Sequence, residues 1–259
     1  MSVFAPAPGA APLVRQVAAQ ARMETRLMLR NGEQLLLAIV IPVIVLVAGV
    51  LAADRLGLDL GGRAPVDVLA PGVLALAVMS TAFTSIAIAT GFERRYGVIK
   101  RLGSSPLPRH GLLLGKVLAL LNVVLLQLVV LVVVALVLGW RPSLEHPALS
   151  AGAAALTVAA GTWAFASLGL FVAGVLRAEA TLALANLVYL LLMAGGGVVL
   201  PTSSYGAAAG LVSWLPSGAL GDAMRAALID ARLDWAALLV LLGWGVLGTL
   251  LTARTFKWE

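Results

Sequence analysis

The chain has 259 residues, 61% hydrophobic and 12% charged, with eighteen Lys and Arg against twelve Asp and Glu and a net charge of +6. At this length such a composition excludes a water-soluble domain, and no polar stretch is long enough to bury a core of its own. No cysteine is present, which excludes disulfides, thiol catalysis and iron–sulfur ligation. The basic excess falls in loops beside apolar runs, where membrane orientation and anionic lipid account for it and a nucleic-acid partner is not implied.

Residues 1–12 are rich in Ala and Pro and carry no charge, which predicts a disordered tail. They lack the basic start and adjoining apolar core of a signal peptide. In residues 13–30, Arg15, Arg22 and Arg26 share a narrow arc with Leu13, Val17, Ala21 and Met28 roughly opposite. That pattern predicts an amphipathic helix in the membrane interface. Glu24 falls on its apolar side, where it either pairs with a cation of a neighbouring basic loop or is simply exposed. Residues 13–259 form one all-α membrane domain, with spans predicted at about 35–53, 69–91, 117–139, 149–176, 181–200 and 236–252.

Pro42 in the first span should kink the helix and free a carbonyl. In the second, Ser80, Thr81, Thr84 and Ser85 cluster on one side, which suits either close helix packing or a polar lining. Asn122 and Gln127 in the third lie about 140° apart on an ideal helix and do not form one site. Trp140 suits the membrane–water interface. In the fifth span Asn186 and Tyr189 stand one turn apart, either hydrogen-bonding between helices or facing a cargo path. Ser80, Thr84, Asn186 and Tyr189 are therefore the candidate path residues.

Residues 201–235 do not read as a plain loop. Gly206 to Leu215 is apolar but too short to cross about 30 Å of hydrocarbon, Pro216 interrupts it, and Ser217 to Ile229 carries Leu220, Met224 and Leu228 on one face. Two short apolar pieces around a proline predict a re-entrant helical hairpin, with an interfacial loop as the other reading. Thirteen of the eighteen cations fall on the side of the termini and the large loop and five on the other, so both termini are expected in the cytoplasm. None of the six predicted spans contains Asp, Glu, Lys, Arg or His, which argues against an ion-coupled carrier and against an intramembrane enzyme. The stretch Gly111 to Lys116 echoes a phosphate-binding loop but is one residue short, and Val117 stands where Ser or Thr should hold magnesium. ATP-driven transport would therefore need a separate hydrolysing subunit.

The most informative stretch is Glu93 to Lys116, ERRYGVIKRLGSSPLPRHGLLLGK, a polar interruption holding six of the eighteen cations. Residues 93–102 are read as a short helix with Tyr96, Ile99 and Leu102 at helical spacing, stopped by Gly103 and turned back by Ser104 to Pro108. Such a helix either docks in a groove of another protein or is a solvated loop.

The pattern Glu-Arg-Arg-Tyr-Gly-Val-Ile-Lys-Arg-Leu-Gly-Ser-Ser-Pro-Leu-Pro-Arg, followed by Gly115-Lys116 and an apolar span, resembles the cytoplasmic signature of ABC-2-type permeases, the membrane subunits of ATP-binding-cassette exporters. Within that family the drug-resistance exporters of actinobacteria of the daunorubicin type are the nearest resemblance. The resemblance implies that Glu93, Arg94, Arg95, Tyr96, Ile99, Lys100, Arg101 and Leu102 form a coupling helix seated in a cleft of an ATPase subunit. Arg95 departs from the Glu that many members have there. It also implies an elbow helix over residues 13–30, an outer cap made by the hairpin with Trp214, Leu215 and Leu220, two ATPase copies that hold ATP and magnesium, and a second permease chain, same or homologous. No cofactor or metal is expected on this chain. The implied place is a bacterial plasma membrane and the implied cargo amphiphilic or apolar; a non-transporting scaffold that holds a cytoplasmic protein through the basic loop is the alternative.

Overall fold

A computed structural model describes residues 11–30, 32–56, 62–98, 108–142 and 146–255. Among these no strand forms, because hydrocarbon offers backbone groups no partners and a helix satisfies them within itself. In chain order the elements are α1 (Leu13–Arg30), α2 (Gly32–Leu56), α3 (Pro65–Met79), a π-helical turn (Ser80–Ser85), α4 (Ile86–Arg95), α5 (Arg109–Val137), α6 (Pro147–Val175), α7 (Ala178–Gly195), a 3₁₀ stretch (Thr202–Ala208), α8 (Ala209–Ser213), α9 (Pro216–Ile229) and α10 (Trp235–Thr255). Pro65, Pro147 and Pro216 open α3, α6 and α9, where a missing N–H costs nothing.

Among the described residues, five helical segments are long and apolar enough to cross a membrane: Pro65–Arg95, Leu114–Val137, Pro147–Val175, Ala178–Gly195 and Trp235–Thr255. The first expected span corresponds to α2, whose apolar stretch Ala38–Ala53 is shorter. The fifth ends at Gly195, earlier than expected, because the chain turns at Gly196 and at Gly197, which has φ +73°. Residues 1–10 of the expected tail and residues 99–107 of the basic loop lie outside the described residues.

The core centres on α3 and the π-turn, where Val73 and residues 75–79 are sealed from solvent. Around it stand α2, α5, α6 and α9, and α6 in turn lies along α10. Small residues let those last two helices close: Gly245 meets the Trp163 ring, Gly248 meets Ser167, and Trp163 Nε1 donates to Thr249 Oγ1 at 3.2 Å. Gly169 of α6 accommodates the bulged π-turn, since a Cβ there would sit 2.7 Å from the Phe83 carbonyl oxygen. Trp140, expected at the interface, is instead buried in the core, capping the end of α5 through its N–H to Ala135 O at 2.9 Å.

Pro42 does free a carbonyl, that of Ala38, and the structure shows what takes it. Gln127, only 1% exposed, donates from Nε2 to Ala38 O at 2.7 Å and accepts at Oε1 from Thr81 Oγ1 at 2.5 Å. One amide thus joins the proline defect of α2 to the π-turn. Gln127→Leu leaves both groups unpaired and should cost about 2–4 kcal/mol, whereas Thr81→Val removes one bond and should cost about 1. Thermal unfolding midpoints in detergent check that order, and equal midpoints for wild type and Gln127→Leu would remove the bridge from the account of stability.

Candidate functional site

The basic loop is bounded by Glu93 in α4 and Lys116 in α5, and these two residues close it. Lys116 Nζ lies 2.7 and 2.8 Å from the two Glu93 carboxylate oxygens and 3.2 Å from Glu24 Oε1 of α1. Glu24, 9% exposed, also accepts from Gln20 Nε2 at 3.0 Å. The cation that Glu24 needs is therefore Lys116, and one ammonium holds three helices. The apolar face of α1 lies on α5, with Val17 against Leu112 and Asn122 Nδ2 donating to Thr25 Oγ1 at 3.2 Å, while Arg15, Arg22 and Arg26 are exposed.

Neighbouring residues tie the same end to two more helices. Arg94 Nη1 donates to the carbonyls of Ala173 and Leu176, the second at 3.5 Å, and so caps the end of α6. Arg95 forms an ion pair with Glu179 in the first turn of α7. Tyr96 is 65% exposed, stacked on Phe92 with ring centroids 6.1 Å apart and with the Arg95 guanidinium 5.8 Å from its ring centre. The helix arriving from the membrane ends here: Tyr96 N–H and Gly97 N–H bond back to Phe92 O and Arg94 O at 2.9 and 3.1 Å, and Gly97 has φ +69°. Glu93 to Arg95 thus belong to α4, which stops at Gly97, because glycine takes that φ without strain; the expected stop at Gly103 lies outside the described residues. Ile99, Lys100, Arg101 and Leu102 lie outside the described residues.

Of the candidate path residues, Tyr189 of α7 and Ser80 of the π-turn lie side by side. Thr84 is nearby in the π-turn, its hydroxyl buried without a protein partner. Asn186, one turn before Tyr189 on α7, is exposed.

At the opposite end, Trp214 is 72% exposed, Leu215 is half-buried and Leu220 is fully buried against Gly161 of α6. Leu220 is therefore a packing residue that seats α9, and only Trp214 and Leu215 present surface. Sequence reasoning missed the group that holds this end. The charge count includes Arg225 among the five outer cations without a structural role, yet it is only 7% exposed. Its Nη2 donates to Val198 O and Val199 O at 2.8 and 2.6 Å, and its Nη1 to Asp222 Oδ1 at 3.0 Å. Asp222 also accepts from the backbone N–H of Thr202 at 3.3 Å and from its hydroxyl. The break after α7 is thereby laid on α3, closely enough that a Cβ on Gly72 would stand 2.5 Å from Val199 O. The signal was available: an Asp and an Arg three residues apart on an otherwise apolar helix, next to a triple-glycine break.

With this geometry in place, the profile of the ABC-2 type transporter family matches residues 15–229. The chain belongs to the ABC-2 type transporter family. It is a multi-pass membrane protein, the membrane component of an ABC transporter, and membership implies association with an ABC ATPase. A search among curated proteins finds no match to the chain.

Removing Lys116 leaves the buried Glu24 and the half-buried Glu93 without their shared cation. Lys116→Met should destabilise the protein by about 3 kcal/mol or more and loosen the loop, while Glu24→Gln, which keeps the main pair, should do much less. Tryptic cleavage at the loop arginines, followed over time, should quicken several-fold in Lys116→Met; unchanged cleavage and melting would mean that the triad does not hold the loop base.

Proposed function

We propose that the chain is the permease of an ATP-driven exporter of a bacterial plasma membrane, with both termini cytoplasmic, moving an amphiphilic or apolar cargo such as a drug, lipid or lipid-linked molecule. Drug efflux of the daunorubicin-resistance type is the reading closest to its loop sequence. Two ATPase subunits hold ATP and magnesium and dock through Glu93, Arg94, Arg95, Tyr96, Ile99, Lys100, Arg101 and Leu102. A second permease chain, same or homologous, completes the transmembrane unit, with membrane lipid around it; this chain binds no cofactor.

The observation that carries the reading is the anchoring of the loop base. Glu93, Arg94, Arg95 and Lys116 reach α1, α6, α7 and α5, so a push on the loop is delivered to four helices rather than absorbed by a slack connector. An ATPase that favours one loop position shifts the helices between two arrangements, which is what alternating access requires. Between the two ends, Ser80 and Tyr189 with Thr84 and Asn186 are the proposed path, and Trp214 with Leu215, seated by Leu220, the proposed outer gate.

Co-purification of the tagged chain with its candidate ATPase tests the docking. Wild type should retain an ATPase with measurable hydrolysis, and the combined Tyr96→Ala, Ile99→Ala, Leu102→Ala variant, inserted in the membrane to the same level, should lose it. If neither form binds an ATPase, the exporter reading fails and the scaffold takes its place. Because the chain has no cysteine, single cysteines report orientation. Tyr96→Cys should react with an impermeant maleimide only from the cytoplasmic side and Arg63→Cys only from outside; the reverse pattern would invert the topology.

A further inference from the structure

A groove of about 760 Å³ opens between the hairpin and the last span, lined by Trp214, Trp244, Asp222, Asp234, Leu239 and Val240 among others. Its walls are held in place without using their recognition surfaces. Trp244 Nε1 donates to the backbone carbonyl of Trp214 at 2.9 Å, which pins α8 to α10 and leaves the Trp214 indole, mostly exposed, on the groove. Neither ring is stacked on another aromatic side chain among the described residues.

The charges of the groove are unequal. Asp222 is neutralised by Arg225. Asp234 accepts one backbone bond, from Ala237 N–H at 3.1 Å, and makes no ion pair among the described residues. Two arginines of this end are directed elsewhere, since Arg63 and Arg232 both lie against Asp230, at 3.3 and 3.6 Å. The groove therefore combines an apolar wall, two indole rings and a carboxylate without a countercharge.

We propose that this groove is a binding site for a lipophilic organic cation. Indole faces and a carboxylate attract the same sign of charge, and an apolar body covers Leu239 and Val240. An anionic lipid headgroup is repelled by the Asp234 carboxylate, an uncharged chain desolvates it with nothing in return, and calcium or magnesium would need about six oxygen ligands that these walls do not supply. The site is built within one chain and requires no ATPase, so its test stands apart from the docking test above.

The test uses the full chain in phosphatidylcholine nanodiscs, with empty nanodiscs as the blank, and two probes of similar shape: tetraphenylphosphonium, a cation, and triphenylphosphine oxide, which is neutral. Titration calorimetry should show saturable binding of the cation at least tenfold tighter than of the neutral compound. Asp234→Asn keeps the cap of α10 and Trp214→Leu keeps the backbone acceptor for Trp244, so both should fold, which circular dichroism checks. Each should weaken tetraphenylphosphonium binding about three- to tenfold, as expected for loss of one charge or one ring. Equal affinity for both probes would make this a plain lipid-facing groove, and unchanged cation binding in both variants would place the site elsewhere; either result overturns the proposal.

Discussion

An unpaired backbone carbonyl in hydrocarbon costs several kcal/mol, and the organisation of this chain follows from where its helices leave carbonyls unpaired. Pro42 frees Ala38 O, and Gln127 takes it. The end of α6 leaves its last carbonyls open, and Arg94 takes those of Ala173 and Leu176. The break after α7 leaves four in a row: Ser217 Oγ donates to Gly196 O at 2.8 Å, and Arg225 reaches Gly197, Val198 and Val199. Each repair comes from a different helix, so mending the backbone is also what joins the elements.

These repairs divide the molecule by chemistry. At the basic-loop end most links are between ionised side chains, Lys116 with two glutamates and Arg95 with Glu179, and Arg94 adds a link to main-chain carbonyls. At the hairpin end a single guanidinium is bound mainly to main-chain oxygens. Between them, contacts are apolar and small-residue packing, as in α6 against α10, with few directional bonds. Directional links resist displacement in a way that apolar contacts do not, so both ends hold their shape while the middle offers the least resistance to sliding.

The parts legible in the sequence were those set by long-range averages or by helical phase. Apolar runs located the helices because membrane thickness fixes their length, and the phase of α1 put Glu24 on the packed side, where its partner proved to be Lys116. Pro42 and Gln127 were each noticed, but one-dimensional phase does not reveal that two residues 85 apart in number stand together. Arg225 was misread because the charge count assigns a residue by its position between spans, and the hairpin folds that position inward. Trp140 was misread for a similar reason: a Trp at a span end suits the interface, but here the turn at Gly139, φ +92°, carries it back onto the core. The stop at Gly97 was legible from the glycine itself, which takes φ +69° there.

Arg95 shows how a local departure is absorbed. A glutamate at this position would repel Glu179, whereas the arginine pairs with it and also lies beside the Tyr96 ring. The two side chains of the pair are 50% and 63% exposed, so it contributes little to stability and its effect is one of orientation. It links the exposed Tyr96 to the first turn of α7, the helix whose Tyr189 meets Ser80 in the π-turn at the centre of the core. The π-turn carries an extra residue per turn and faces Gly169, so it is the place in the core where helical register is easiest to change. Arg95 thus joins the end of α4 to α7, and α7 in turn packs on the π-turn.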